Sequence, residues 1–340
     1  MDRSSSGVTP GESGPVAGQV RLPETTSVLV LRQAVRAWLA LYRPAGAVAV
    51  ALSGGADSLA LTAAAVVEAD GVDALIIDHG LQRGSAAVAA EAADAARRLG
   101  CRSARVRRVE VDGPGGPEAA ARHARYRALD DLRDGMPVLF GHTLDDQAET
   151  VLLGLGRGSG QRSLRGMAAF DDPWGRPLLG VRREITRQLC RDLGLRPHED
   201  PHNSAPEFTR VRLRTEVLPL LEEVLGGGVA SALARTAAQL RDDGEILDSI
   251  ADRLLSEARD GSSLSVEILA TAPGAIRRRV LRAWLIEGGA KAVTDKHLRA
   301  VDTLITDWRG QGGVAVGGGM PGTRLVARRE HGRLTLAFAR

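Results

Sequence analysis

Residues 53–58, Ser-Gly-Gly-Ala-Asp-Ser, form a segment that is suited to binding the phosphates of a nucleotide. The two consecutive glycines allow a tight turn and a close approach of the backbone to an anion. The amides that open the following helix can donate to phosphate oxygens, helped by the helix dipole. The acidic residue fits this cradle if it binds a metal ion that bridges the phosphates, and the alternative is an ordinary glycine turn. The candidate nucleotide-binding residues here are Ser53, Gly54, Gly55, Ala56, Asp57 and Ser58.

Residues 141–150, Gly-His-Thr-Leu-Asp-Asp-Gln-Ala-Glu-Thr, combine a histidine with three carboxylates. Asp146 and Glu149 are three residues apart, so they share one face of a helix. Two carboxylates on one face can hold Mg²⁺ or a cationic amine. The alternative is helix capping by Thr143 or Asp145. Capping explains the presence of one acidic residue in this segment, but it does not explain all three. The candidate metal ligands of the two segments are Asp57, Asp145 and Asp146.

Arginine supplies nearly all of the positive charge, and several arginines occur in groups. Arg122 and Arg125 share a face of a predicted helix, where they can contact phosphate; a solvated basic face is the alternative. Residues 157–214 contain 12 arginines and 7 acidic residues, a net charge of +5 compared with +3 for the whole chain. An anionic partner such as RNA would explain this concentration, and codon bias toward arginine is the alternative. Arg176, Arg210, Arg212 and Arg214 belong to this stretch, and their spacing by itself indicates only arginines beside a turn.

Short apolar runs alternate with helical segments between residues 47 and 150. This alternation predicts a parallel sheet with helices on both faces, a doubly wound α/β fold. Ligands of such sheets bind beyond the carboxyl ends of the strands, where the two acidic segments fall. The predicted strands are 47–52, 73–78, 101–111 and 137–141, and the predicted helices are 59–69, 85–99, 118–132 and one that begins near 145.

Composition divides the chain into three predicted regions. Residues 1–22 are rich in Gly, Ser and Pro, so we expect a disordered tail rather than a signal peptide. Residues 23–225 are expected to form the α/β domain, and residues 226–340 a smaller helical domain that ends in a short β-hairpin. No apolar run is long enough to span a membrane, and two distant cysteines fit a reducing cytoplasm. The oligomeric state stays open, with a homodimer as one alternative.

Taken in order, these segments resemble the family of transfer-RNA isoleucine lysidine synthetases, within the PP-loop superfamily of ATP pyrophosphatases. The Ser-Gly-Gly-x-Asp-Ser loop alone marks the superfamily. The resemblance is close over residues 26–225 and looser beyond them. The more specific motifs are Asp-His-Gly-Leu at 78–81, Ala-Arg-x-x-Arg-Tyr at 121–126, Asp-Asp-Gln-Ala-Glu-Thr at 145–150, Arg-Pro-Leu-Leu at 176–179 and Glu-Asp-Pro-x-Asn at 199–203.

The resemblance implies a two-step ligation on transfer RNA. Enzymes of this family use ATP to adenylate the C2 carbonyl oxygen of the wobble cytidine in a CAU anticodon, and pyrophosphate leaves. The ε-amino group of free lysine then attacks C2 and expels AMP, which makes the tRNA an isoleucine acceptor. The expected ligands are therefore ATP, Mg²⁺, free L-lysine and tRNA(Ile) with a CAU anticodon.

The resemblance also assigns roles to individual residues. Residues 53–58, with Asp78 and His79, would bind ATP, and Asp57 would lie near Mg²⁺. Asp146 and Glu149 match positions that are implicated in lysine or metal binding. The catalytic residues expected from the resemblance are Asp57, Arg122, Arg125, His142, Asp146, Glu149 and Arg214. With tRNA as the substrate that the resemblance implies, the expected tRNA-binding residues are Arg176, Arg210, Arg212 and Arg214.

Two positions depart from the family pattern, and two other functions stay open. Thr143 follows the motif histidine in place of a second histidine, and Val211 replaces an asparagine. A PP-loop thiolase acting on tRNA would need cysteines for sulfur relay or an iron–sulfur cluster, but Cys101 and Cys190 form no Cys-x-x-Cys pair. A non-catalytic nucleotide-binding module would explain the glycine loop, but not the acidic and Arg-rich segments together with it.

Overall fold

The computed structural model describes residues 22–43, 45–80, 84–111, 116–158, 160–200, 207–318 and 323–339. These residues form two compact units. The first unit contains the described residues up to Glu149, together with Met167–Ser231. The second unit contains Thr150–Gly166 and the described residues from Ala232 onward. The predicted disordered tail lies, apart from residue 22, outside the described residues.

Strands and helices alternate through most of the first unit. A π-helical turn at Leu213–Val217 separates its last two helices. The elements are α1 (Thr26–Tyr42), β1 (Val48–Ala51), α2 (Ala56–Glu68), β2 (Val72–Asp78), α3 (Ser85–Leu99), β3 (Ser103–Arg108), α4 (Pro117–Leu132), β4 (Val138–Leu139), α5 (Leu144–Gly156), β5 (Phe170–Asp171), β6 (Trp174–Gly175), α7 (Arg183–Asp192), α8 (Thr209–Arg212) and α9 (Leu218–Val224).

A six-stranded sheet in the order β3-β2-β1-β4-β6-β5 forms the centre of this unit. Its strands pair in parallel, except that β5 is antiparallel to β6. Val48 and Val50 of β1 belong to one buried cluster, and Ala49 and Ala51 belong to another. Since successive side chains of a strand point to opposite faces, both faces of the sheet are covered. This arrangement confirms the predicted doubly wound α/β fold.

The predicted elements between residues 47 and 156 agree with the structure in type and order. The third strand is shorter than predicted, Ser103–Arg108 rather than 101–111. The two strands β5 and β6 are absent from the prediction. Each contains only two residues, and such short runs show no periodicity in a sequence.

The second unit combines helices with a five-stranded antiparallel sheet in the order β7-β8-β11-β10-β9. The predicted hairpin is present as β10 and β11. Three further strands, which were not predicted from the sequence, join the hairpin and extend it into a five-stranded sheet. Those strands have two or three residues each, too few to show an alternating pattern. The elements are α6 (Gln161–Leu164), α10 (Val229–Ala258), β7 (Arg259–Asp260), β8 (Ser263–Ser265), α11 (Val266–Ala270), α12 (Gly274–Glu287), α13 (Asp295–Thr306), β9 (Val314–Val316), β10 (Arg324–Glu330) and β11 (Arg333–Ala339).

The limits of the two units differ from the predicted domains, 23–225 and 226–340. The segment Thr150–Gly166 groups with the second unit, although the prediction placed it in the first domain. Its ion pairs give a reason: Arg162 and Arg165 of this segment lie 2.8 and 3.0 Å from Asp248 of α10. Local composition does not reveal such a contact between segments.

No single helix in the described parts of the chain meets both the length and the hydropathy requirement of a membrane span. The pair Thr209–Val224 and Val229–Ala258 meets them only jointly, with a bend of 95° between its members.

Candidate active site

The loop at residues 53–58 is held by hydrogen bonds among its own groups. The Ser53 amide donates to Ser58 Oγ (3.2 Å), and Ser58 Oγ donates to the Gly55 carbonyl (2.9 Å). Gly54 has a φ of +83°, which lies in the left-handed region that glycine adopts without strain. No side chain of the described residues caps the start of α2, which follows Gly55. The amides of its first turn are therefore available to an anion.

Gly141 brings the two acidic segments of the sequence together. A Cβ at this position would lie 2.8 Å from the backbone carbonyl of Asp57 and 2.9 Å from the amide nitrogen of Ser58. Any other residue would therefore push the end of β4 away from the start of α2. Glycine at this point lets the acidic α5 begin close to residues 53–58.

A cavity of about 420 Å³ opens beyond the carboxyl ends of β1 and β2. Apolar residues of both strands line it, together with polar groups of Ser53, Asp78, His79 and Arg125. A mostly apolar lining with a few polar groups is typical of small-molecule sites of this size. Four of the predicted nucleotide-binding residues, Ser53, Gly55, Asp78 and His79, thus line one cavity, which we call the nucleotide cavity.

Asp78 and His79 carry different charges in this cavity. Burial raises the pKa of Asp78, but hydrogen bonds from Ser85 and from the Gly80 amide (2.9 Å) lower it more, so the carboxylate is ionised at pH 7. Burial lowers the pKa of His79, and the positive charge of Arg125 lowers it further. His79 is therefore neutral at pH 7 and can hydrogen-bond a ligand without adding a charge.

The two predicted arginines of α4 occupy different surroundings. Arg122 is exposed, and it donates to the Tyr126 hydroxyl at 3.2 Å. Arg125 is partly buried, lines the nucleotide cavity, and lies over the Phe140 ring at 5.3 Å from its centroid. Of the two, the structure brings only Arg125 into the nucleotide cavity.

Five charged side chains form a second group, which we call the Arg183 cluster: Asp57, Asp146, Glu149, Arg183 and Arg214. The Arg183 guanidinium lies 2.6 Å from Asp146, 3.2 Å from Glu149 and 3.5 Å from Asp57. Arg214 lies 2.9 Å from Glu149 and 3.6 Å from Asp146. Three carboxylates and two guanidinium groups leave a formal charge of −1. The cluster can therefore accept one more cation, such as an ammonium group.

The two aspartates of the Arg183 cluster have pKa shifts of opposite sign. Burial raises the pKa of Asp57, and the hydrogen bond from the Thr186 hydroxyl and the charge of Arg183 offset only part of this rise. Burial also raises the pKa of Asp146, but Arg183 and hydrogen bonds from the Thr143 amide (2.8 Å) and hydroxyl (2.7 Å) outweigh it. The net pKa of Asp146 is lowered, so it is the more firmly ionised of the two.

Asp145, the third candidate metal ligand, holds the start of α7. Its Oδ2 accepts from the Arg183 amide at 2.8 Å, and its Oδ1 lies 3.1 Å from Arg182. A carboxylate beside the first turn of a helix is favoured by the helix dipole. No three His, Cys, Asp or Glu side chains in the described parts of the chain are arranged to hold a metal ion. A metal here would need phosphate oxygens from a ligand beside Asp57.

His142 is partly buried and stacks on Phe140, with ring centroids 5.5 Å apart. Burial lowers the pKa of His142 to about 4; the charge of Asp146 raises it, and nearby arginines, including Arg176, lower it. The imidazole is therefore neutral at pH 7. Its Nδ1 makes no hydrogen bond with the described residues, so it can accept from or donate to a ligand.

The candidate RNA-binding arginines differ in exposure. Arg176 is buried and donates to two backbone carbonyls, which leaves little of it for a large polyanion. Arg210 and Arg212 are exposed, and Arg212 pairs with Glu216 at 2.9 Å. Arg214 lies in the π-helical turn and belongs to the Arg183 cluster. Of the four, Arg210 and Arg212 are the best placed for a surface contact.

Arg183, the residue at the centre of the cluster, is not among the site residues predicted from the sequence. Its position follows the Arg-Pro-Leu-Leu motif by a few residues, and no spacing rule links it to Asp146, which is 37 residues away in the chain. Thr186, which donates to Asp57, was missed for the same reason. The motif before α7 was the one available signal that this region contributes to the site.

Two family models and several relatives match most of the chain. Residues 27–221 match the family described as PP-loop domain, and residues 264–335 match the TilS substrate binding domain. The tRNA(Ile)-lysidine synthase of Nocardia farcinica is 72% identical over 309 residues, which cover 90% of this chain and 97% of that protein. The corresponding protein of Rhodococcus erythropolis is 68% identical over 317 residues, 93% of this chain and 98% of its own.

A solved structure extends the comparison to a distant protein. The U34-tRNA thiolase NcsA from Methanococcus maripaludis has a TM-score of 0.50 and 18% sequence identity, and the match covers 63% of this chain and 79% of that chain. At this identity, the likeness shows a shared fold alone.

Proposed function

Because the chain belongs to the tRNA(Ile)-lysidine synthase family of ATP-dependent ligases, we propose that it joins free L-lysine to the wobble cytidine of tRNA(Ile) with a CAU anticodon. One observation of the site carries this proposal. The nucleotide cavity and the Arg183 cluster meet at residues 53–58, since Ser53 lines the cavity and Asp57 belongs to the cluster. Activation by ATP and attack by an amine would thus take place side by side.

The first step is adenylation of the cytidine C2 carbonyl oxygen. The uncapped amides of α2 and the Ser53 hydroxyl bind the phosphates of ATP, and the nucleotide cavity receives its nucleoside. The buried Ser58 hydroxyl, which donates to the Gly55 carbonyl, instead supports the loop. Preorganised donors of this kind stabilise the charge that develops as pyrophosphate leaves. Arg125, at the cavity, adds a guanidinium that can pair with a phosphate oxygen.

The residues present fit a Mg²⁺ ion that is bound together with ATP. Mg²⁺ is usually held by one or two carboxylates plus phosphate oxygens, and Asp57 lies in the first turn of α2, with 28% of its side chain exposed. When bound there, the ion would neutralise charge on the leaving pyrophosphate. Thr186 and Arg183 orient the Asp57 carboxylate for this role.

The second step is attack by the lysine ε-amino group. We propose that Asp146 and Glu149 bind this group, because the Arg183 cluster has one more carboxylate than guanidinium groups. Glu149 is fully buried and is held by both Arg183 and Arg214, so its orientation is restricted. The ammonium ion first loses a proton to a neighbouring carboxylate or to water. The free amine then attacks C2, and the C2–O bond breaks as AMP leaves. Close placement of the amine and C2 then lowers the entropic part of the barrier.

The exposed arginines near the end of the first unit provide a path for the RNA. Arg210 and Arg212 lie just before Arg214 of the Arg183 cluster, so an anticodon arm bound by them would deliver its wobble base near the amine site. ATP, tRNA and free lysine are all cytoplasmic, and we propose that compartment for the reaction.

The decisive experiment is nucleoside analysis of CAU-anticodon tRNA(Ile) after incubation with the protein, ATP and labelled lysine. We expect label in lysidine, and pyrophosphate release that depends on the tRNA. A non-catalytic nucleotide-binding module would release no RNA-dependent pyrophosphate. A sulfur-transferring enzyme would need a reactive thiolate, but burial raises the pKa of both Cys101 and Cys190 to about 12.

A further inference from the structure

A cluster of three arginines surrounds a single carboxylate in the second unit. Asp248 of α10 lies 2.5 Å from Arg279, 2.8 Å from Arg162 and 3.0 Å from Arg165. We call these four residues the Asp248 cluster. Three guanidinium groups and one carboxylate leave a formal charge of +2. All four residues belong to the second unit, outside the site described above.

Neighbouring groups do not neutralise this excess positive charge. Burial lowers the pKa of Arg282, one turn from Arg279, and the nearby charge of Arg162 lowers it further. Glu245 and Asp252 lie one turn to either side of Asp248 on α10, but both are exposed, and neither forms an ion pair with a described residue. Burial raises the pKa of Asp248, whereas hydrogen bonds from Arg165 and Arg279 lower it more. Asp248 is therefore ionised, and its single negative charge is already shared among the three arginines of the cluster.

The backbone of α10 is adapted to this cluster. A Cβ at Gly244 would collide with the Arg165 guanidinium, so glycine leaves room for Arg165 in its present position, although in a helix interior glycine costs about 1 kcal/mol relative to alanine. Arg279 also donates to Gln161 Oε1 at 3.0 Å. The Nε and Nη2 atoms of Arg165 are buried and make no hydrogen bond with the described residues. These two donors face Gly244, so the guanidinium of the cluster that a ligand reaches first is that of Arg162, 47% of whose side chain is exposed.

We propose that the Asp248 cluster is a phosphate-binding site that takes a phosphodiester of the RNA backbone. This inference rests on the proposed function, which supplies the RNA. Guanidinium groups present planar forks of N–H donors that match phosphate oxygens. No aromatic ring belongs to the cluster, so it offers no stacking surface for a base and binds the backbone regardless of sequence. The second unit thereby helps to hold the substrate while the first unit carries out the chemistry.

The test uses two substitutions that should have opposite effects on RNA affinity. Arg162→Gln removes a half-exposed donor, and we expect tRNA binding about threefold weaker near 0.1 M salt, with a shallower salt dependence. Asp248→Asn removes the competing carboxylate, and we expect binding about threefold tighter and more sensitive to salt. Fluorescence anisotropy with full-length protein and tRNA(Ile) measures both, without any catalytic step.

Arg299→Gln is the matched control, because Arg299 is an exposed arginine of the same unit that pairs with Asp295 four residues away. It removes the same charge outside the cluster, and we expect RNA affinity to change by less than half as much as in Arg162→Gln. If Asp248→Asn does not fold, Arg162→Glu replaces it, with an expected loss of about tenfold from two units of charge.

A purely structural ion-pair cluster would give another pattern. The melting temperature would fall in Arg162→Gln and in Asp248→Asn, while RNA affinity and salt dependence matched those of Arg299→Gln, and that result would overturn the proposal. Lysidine formation by the unaltered protein is measured in parallel. If the unaltered protein binds tRNA but makes no lysidine, the proposed function fails, whereas opposite affinity changes in the two variants would still support the phosphate site.

Discussion

The Arg183 cluster of the first unit and the Asp248 cluster of the second are built from the same side chains in opposite proportions. The first has three carboxylates around two guanidinium groups, and the second has one carboxylate among three. Both are partly buried, so neither excess charge is fully screened by water. The sign of the excess therefore predicts the ligand, an ammonium ion in the first and a phosphate in the second.

The two clusters also differ in the elements that position them. The Arg183 cluster lies at helix starts beyond the carboxyl ends of parallel strands, where α/β sheets bind their ligands. The Asp248 cluster lies between helices, where a mid-helix glycine at position 244 makes room for Arg165. Ion pairs between Asp or Glu and Arg are common in proteins, so the ratio of charges, rather than the presence of a pair, separates a binding site from a structural contact.

The strongest way to disrupt the first region is Asp57→Ala. We expect tRNA-dependent pyrophosphate release to fall at least about 100-fold, because the carboxylate that supports the leaving pyrophosphate is lost. A pyrophosphate assay measures this loss. Asp94→Ala, which removes an exposed carboxylate paired with Arg97, is the control and should retain activity. Full activity of a folded Asp57→Ala protein would refute the role of Asp57.

Removal of the excess negative charge tests the amine site more directly. In Asp146→Asn or Glu149→Gln, we expect the lysine concentration for half-maximal rate to rise about 30-fold, since a hydrogen bond between two charged groups contributes about 2 kcal/mol. Adenylated tRNA should accumulate, which gel analysis with labelled ATP detects. If lysine dependence is unchanged in both variants, the acids only cap α5 and the comparison of the two clusters fails.

The protonation of His142 provides a further test of the first region, because its imidazole stays neutral although it lies near the Asp146 carboxylate. Its pKa is lowered from 6.5 to about 4, so between these values the unfolded chain binds more protons than the folded one. Stability should therefore fall as pH decreases, by about 2 kcal/mol from pH 7 to pH 5. Urea unfolding at both pH values measures this. His142→Phe should lose that difference, and His123→Gln, an exposed control, should keep it.

The smallest expected effect separates the RNA path from the amine site. Arg210→Ala with Arg214→Ala should weaken tRNA binding about tenfold and lower the salt slope, with little change in ATP affinity. Arg210→Ala alone should weaken it about threefold, because Arg210 is exposed and lies outside the Arg183 cluster. Filter binding at several salt concentrations decides the matter. If the RNA affinity and the salt slope of the double variant are unaltered, these arginines form only a solvated surface that results from codon bias.

The nucleotide loop and the order of elements in the first unit could be predicted from the sequence. Both depend on contacts between near neighbours in the chain: glycines that permit a turn, apolar runs that form buried strands, and helical spacing from residue 85 to residue 99. The candidate site was predicted in part for the same reason. Asp146 and Glu149 are three residues apart, and spacing alone places them on one helix face.

The pairing of those acids was decided by the tertiary structure. Arg183 reaches Asp146 across 37 residues of sequence, and Arg165 reaches Asp248 across 83. The burial of Arg176 and the partners of β7, β8 and β9 likewise depend on where distant segments return. A sequence determines by itself which groups can carry charge and which local elements they occupy. The net charge at a site depends on which distant segments pack together, because Coulomb interactions act through space rather than along the chain.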